Sequence, residues 1–238
     1  MNVFVAGATG VIGLPLLKFL RDAGHTVTGT TRSAKKIATI EALGARGVAV
    51  DAFDADALRR AVVAAKPEAI IHQLTDLPDT VPAQRASMSE KNSRLRVEGT
   101  RNLMAAAKAA NVQRVVAQSI AFIYAPGGKP YREGDPLDSS EAQRVSIAGV
   151  KALEDAVLNT PGINGIVLRY GRLYGPGTWF DKPGSAGALT TDAAAQAALL
   201  ALGGGAPGIY NVAEDDGEFS IEKARRELGF DPGFRMSA

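Results

Sequence analysis

The stretch GATGVIG places Gly7, Gly10 and Gly13 three residues apart, between an apolar run (2–7) and a leucine-rich run (11–24). That pattern suits a phosphate cradle. The first glycine permits a tight turn, the second lets backbone approach a pyrophosphate, and the third lets a helix pack closely on a strand. A helix starting there offers unpaired N–H groups and a positive dipole end to the phosphate charge. A glycine turn without a ligand is the plainer reading, but the strand before it and the helix after it are what a dinucleotide needs. The next strand (25–32) runs out at Thr31 and Arg32, with Lys35 and Lys36 behind. A carboxylate there would bond the ribose 2′-hydroxyl of NAD, whereas a guanidinium can grip a 2′-phosphate with two bonds. NADP (NADPH) is therefore expected over NAD.

Other chemistry has few sources. The chain has no cysteine, so thiolate nucleophiles, disulfides and cysteine metal sites are excluded. His25 and His72 are isolated and lack metal-ligand spacing, so no metal site is expected. Glu133, Asp135 and Asp138 in REGDPLDSSE read as a capped loop rather than an acid pair. Lys151 falls on a helix spanning about 142–159. The residue four before it shares its helical face, and that residue is Ile147, which cannot move a proton.

These residues need a scaffold, and the sequence supplies one. Short β-branched runs at 2–7, 25–32, 46–53, 68–74, 113–122, 165–171 and 208–213 alternate with helical stretches. One long helix is expected at about 83–110. The alternation predicts an α/β fold, a Rossmann-type doubly wound parallel sheet with helices on both faces and a small C-terminal lobe. The 238 residues read as a single NAD(P)-binding domain (1–238), with 175–238 contributing a short substrate lobe that opens on a Gly/Pro-rich loop carrying Trp179 and Phe180. The formal charge is only +2, and no basic stripe points to nucleic acid. Apolar runs are too short to cross a bilayer, so no membrane partner and a cytoplasmic location are expected.

With GATGVIG in that setting, the chain resembles the extended short-chain dehydrogenases/reductases, the NAD-dependent epimerase/dehydratase family. GVAVDAFD, AIIHQLT, VEGTRNLMAAAKAANVQRVVAQS, VLRYGRLYGPGT, GIYNVAEDD and ARRELGFDP are similar to successive family segments and extend the likeness over nearly the whole chain. The resemblance implies cofactor contacts from Gly7, Thr9, Gly10, Val11, Ile12 and Gly13. It also implies contacts from Asp51 and Ala52 at the adenine, and from Gln73 and Leu74 beside the cofactor. The family carries a YxxxK pair in which the lysine holds the nicotinamide ribose and the tyrosine is the acid or base. Here Lys151 matches the lysine and Ile147 stands at the tyrosine. The family's serine position falls on Ile120, with Ser119 one residue earlier and on the other side of an extended strand unless a bulge intervenes. Arg96 occupies a position where asparagine is frequent.

The resemblance thus implies an atypical member. Tyr170, at the end of the sixth strand where the family's chain passes the nicotinamide, is the first candidate to replace the missing acid. Tyr124 is the second, and Ser119 and Lys151 complete the candidate catalytic set, with Lys151 and Tyr170 also lying against the cofactor. The expected activity is NADP-dependent reduction of a small carbonyl or activated double bond. A non-catalytic NADP sensor and a sugar-nucleotide epimerase or dehydratase are the alternatives. The short lobe implies a small-molecule substrate, and the helices at 83–110 and 142–159 imply a possible homodimer.

Overall fold

The computed structural model describes residues 1–78, 80–81 and 85–236, with the side chains of Arg85 and Ala86 outside the description. Seven parallel strands form one sheet: β1 (Asn2–Ala6), β2 (Thr26–Thr31), β3 (Arg46–Ala49), β4 (Ala69–His72), β5 (Arg114–Ile120), β6 (Asn164–Tyr170) and, late in the chain, β9 (Gly208–Val212). Their order is β3-β2-β1-β4-β5-β6-β9, so the winding reverses between β1 and β4. A short parallel ribbon of β7 (Arg172–Tyr174) and β8 (Ala188–Thr190) lies apart from it.

Alternation along the strands builds two cores. Val3 and Val5 of β1 face α1 (Gly13–Asp22), α7 (Thr191–Gly203) and α8 (Glu222–Leu228), with Ile40 of α2 (Ile37–Ala42) in the same layer. Phe4 and Ala6 face the opposite layer, α3 (Ala55–Ala65), α5 (Thr100–Ala109) and α6 (Arg144–Leu158). Each fully buried Val, Ile or Phe contributes about 1.5–3 kcal/mol through surface removed from water. Strands buried on both faces explain why the sequence shows apolar runs rather than strict alternation.

One expectation is modified. The long helix is α4 (Arg85–Arg94), a π-helical turn (Leu95–Gly99) and α5 in direct succession, while positions 83–84 lie outside the described residues. Within 175–238, β9 pairs with β6 as the outer strand of the main sheet, and α7 packs on α1 in its helical layer. The 175–186 loop remains at the periphery, while β8 and α8 place Leu189, Ala224 and Leu228 in the first core.

Candidate functional site

The carboxyl ends of β1 to β6 share one edge of the sheet, and every candidate residue lies on or after one of these strands or on a helix packed against them. At the switch point between β1 and β4 a doubly wound sheet opens a crevice. The glycine turn lies in it. Gly7 has φ +87°, and a Cβ on it would stand 2.5 Å from the Gln73 carbonyl oxygen. A Cβ on Gly13 would stand 2.4 Å from the Gly7 carbonyl oxygen, so these two positions are forced by the protein's own packing. Gly10 is different. It is exposed, and its Cβ would meet only the Gly7 oxygen, at 3.4 Å, so packing alone does not exclude a side chain. The space it leaves is what a closely approaching pyrophosphate requires.

The helix behind the turn is prepared in the same way. No side chain caps α1, and its first turn holds no acidic residue. The turn closes through the Gly10 N–H on the Gly7 carbonyl (3.2 Å), and Val11 and Thr9 line it partly exposed, with Ile12 buried. The Thr9 hydroxyl donates to Thr31 Oγ1 (3.2 Å), tying the turn to the end of β2. An uncapped N-terminus with open backbone above it fits an anionic group.

Around the turn the other candidates are placed as follows. Arg32 is exposed and pairs with Asp76 at 2.9 Å, so its guanidinium already has one carboxylate partner. Lys35 and Lys36 are exposed beside it. Asp51 accepts the Phe53 N–H (2.9 Å), and Ala52 is buried beneath it with its carbonyl bonded by Asn102. Gln73 is buried; its side-chain N–H donates to the Tyr170 hydroxyl at 3.3 Å, and its Oε1 has no partner. The Leu74 N–H donates to His72 Nδ1 (3.2 Å), which leaves the opposite ring nitrogen to donate to Thr100 Oγ1 at 2.9 Å. Burial pushes the His72 imidazole down to about 4, so it is neutral at physiological pH.

The catalytic candidates separate. Tyr170 is 2% exposed and turns into the α7 layer, donating to the Ala194 carbonyl (3.1 Å); burial raises its phenol well above the ordinary range. Arg169, one residue earlier, takes the opposite face of β6, against Glu154 of α6. Ser119 is buried and donates to Glu154 (2.8 Å). No bulge turns it outward: β5 pairs with β6 residue by residue from Arg114 to Ile120. Tyr124 is buried between Arg169 (2.9 Å) and Asn211, to which its hydroxyl donates at 2.6 Å. Lys151 alone of the four is exposed and makes no hydrogen bond among the described residues. Ile147, one turn before it, is buried with Ile123 and Val150, and Ile120 packs against them.

Sequence reasoning missed the group that ties these together. Arg169 and Glu154 form a buried two-pronged ion pair, Nε to Oε1 2.8 Å and Nη2 to Oε2 2.7 Å, which Ser119 completes. Removing one partner of such a pair costs about 3–5 kcal/mol, because the other charge stays buried alone. The signal was present: an arginine inside the apolar run GIVLRYG must have a buried anion, and Glu154 lies on the helix packed against that strand.

Trp179 Nε1 donates to the Pro78 carbonyl (2.9 Å), and a Cβ on Gly177 would lie 3.3 Å from Val11 Cγ1, so the 175–180 loop passes over the glycine turn. A hollow of about 360 Å³ lined by Met1, Glu68, Asn111 and Arg114 lies at the opposite, amino-terminal edge, away from these groups. Among the described residues no cluster of His, Asp or Glu could hold a metal, and no helix is long and apolar enough to cross a membrane.

A nicotinamide dinucleotide is the ligand that this crevice and glycine turn fit, and the comparisons agree. The model of the NAD dependent epimerase/dehydratase family matches residues 3–213, and the chain belongs to that family. It is 44% identical to the 3-diazoavenalumate denitrifying reductase of a Streptomyces species over 191 residues, 77% of this chain and 60% of that protein. The chain thus spans less than two thirds of that relative. The UDP-glucose 4-epimerase of Thermotoga maritima, solved with UDP-glucose, superposes with a TM-score of 0.81 at 17% identity over 99% of this chain and 94% of that one. The Thermus thermophilus UDP-glucose 4-epimerase solved with NAD gives 0.79 at 20% identity, over 99% and 95%. At such identities the two epimerases share the fold alone.

Proposed function

We propose that the chain is an NADP-dependent oxidoreductase that reduces a small molecule already electrophilic enough to accept hydride without an acid beside it. One observation carries this: Gly10 leaves room at an uncapped helix N-terminus, while Ile147 and Ile120 make an apolar wall where the family's proton-moving residues would stand. The bound dinucleotide would supply a hydride to a carbonyl or activated-double-bond carbon, and water would supply the proton. Residues 7–13 would hold the pyrophosphate, Asp51 and Ala52 the adenine, Arg32 the 2′-phosphate, and Lys151 the nicotinamide ribose. Gln73 and Leu74 would form the wall beside it. The likeness to a reductase whose name gives a diazo compound as substrate supports an acceptor of this kind.

A homodimer through the α4–α5 helix and α6, in a reducing cytoplasm, belongs to the same reading. A second reading is a cofactor-binding sensor without turnover, favoured by the tied hydroxyls of Ser119, Tyr124 and Tyr170. An epimerase or dehydratase has only the shared fold in its favour.

The test is a titration with NADPH and then NADH, following nicotinamide fluorescence and energy transfer from Trp179, and then turnover on a panel of aldehydes, enones and diazo compounds. Tighter NADPH binding and measurable NADPH oxidation are expected. Tyr170→Phe should keep turnover and Lys151→Met should lose roughly tenfold or more, the worth of one charged hydrogen bond. Failure to bind either nucleotide would overturn the reading, and binding without turnover across the panel would favour the sensor.

A further inference from the structure

Arg96 stands outside the hydrogen-bonded group of Ser119, Glu154, Arg169 and Tyr124. It sits on the π-helical turn Leu95–Gly99, and single π turns interrupt a helix frequently at functional sites. Its side chain is partly buried and makes no hydrogen bond or ion pair among the described residues. A guanidinium withdrawn from water without an anion is unfavourable, and burial brings Arg96 down to about 10.

Its neighbours fix where it lies. Asn92, one turn earlier, bonds the main chain of Asp76 on the crevice wall, with Nδ2 to the Asp76 carbonyl at 3.0 Å. Ser93 packs so closely on α6 that a Cβ on Gly149 would stand 2.7 Å from its Oγ. Arg96 is thus held between the exit of β4 and α6, the side of the crevice that carries Lys151, and within electrostatic reach of His72 and Glu154. Neither neutralises it. His72 is neutral, and both Glu154 oxygens are occupied by Arg169 and Ser119. The carboxylate within electrostatic reach of Arg96 is therefore already spent on Arg169 and Ser119. Asp76 is paired with Arg32 (2.9 Å), and Glu133 accepts the Asn211 N–H (2.9 Å). The π turn packs on α6, which carries Ile147 and Val150 of the apolar group they form with Ile120 and Ile123.

We infer that Arg96 receives the carboxylate of the substrate, whose apolar body lies along Ile120 and Ile147. This rests on the reductase reading and narrows it to small apolar or aromatic carboxylic acids that carry the reducible group. A planar guanidinium pairs with both oxygens of a carboxylate, which lysine cannot do. In this site Arg96 orients the acceptor, and the hydride and proton balance stays as above.

The test uses cinnamate and methyl cinnamate, which share the apolar body and differ only at the carboxyl group, titrated calorimetrically into the full chain with and without saturating NADP. The wild type should bind the acid on the order of ten- to a hundredfold more tightly than the ester. Arg96→Gln should erase that preference and leave NADPH affinity within about twofold. Arg96→Lys should keep part of the preference, and it carries the comparison if the glutamine variant does not fold. A wild type that binds no cinnamate, or shows no acid preference, overturns the inference, as does a preference that survives Arg96→Gln. A tenfold or greater loss of NADPH affinity in Arg96→Gln overturns it too, and assigns the guanidinium to a cofactor phosphate. Absence of nucleotide binding would sink the reductase reading by itself, with the acid–ester comparison on the nucleotide-free chain still deciding Arg96.

Discussion

His72 shows how one buried side chain sets a dependence on pH. Its ring accepts from the Leu74 N–H and donates to Thr100, an arrangement only the neutral form can make. The unfolded imidazole takes a proton near its ordinary 6.5, whereas the folded one resists until about 4. The unfolded chain therefore binds more protons in that window, and stability falls as pH drops through it. Between pH 6.5 and 5 the wild type should lose about 1.5 kcal/mol from this residue, and His72→Gln should flatten that part of the curve. Urea unfolding at a series of pH values measures it; an unchanged slope in the variant would move the effect to another group.

Among the elements, the crossing of α4 and α6 at Ser93 and Gly149 decides how near Arg96 lies to Lys151. Helix propensity alone says Gly149→Ala should stabilise by about 1 kcal/mol. Packing says otherwise, because the new Cβ would stand 2.8 Å from the Ser93 Cα, a backbone atom that cannot swing away. Overpacking of this kind costs about 1–3 kcal/mol, so a net loss is expected in chemical denaturation, while Gly134→Ala, with open space around it, should be near neutral. The strands and the glycine turn were legible in the sequence because apolar runs and φ-demanding glycines are local signals. The burial of Ser119 was legible too, from alternation along β5. The direction of Tyr170 was not, since alternation puts Arg169 and Tyr170 on opposite faces without saying which helical layer each enters. Nor could the π turn under Arg96 be read, for it depends on a helix continuing past its own irregularity.

For the molecule as a whole, the late segments close the structure. Phe234 meets Phe19 of α1 edge-on, with ring centres 5.6 Å apart, and Arg235 reaches Glu214 at 3.0 Å. The ring contact buries apolar surface, whereas the ion pair is substantially exposed and screened. Phe234→Ala should therefore cost about 1–2 kcal/mol and Arg235→Ala about 0.5 or less, a contrast that thermal unfolding can resolve. The 175–180 loop has a different consequence. It joins Trp179 to Pro78 above the glycine turn, so a dinucleotide lying on that turn must part the bond both on arrival and on departure. Such a latch acts on residence time before it acts on affinity. Because Trp179 is the chain's single tryptophan, the same indole that bars the exit is also the natural clock for it.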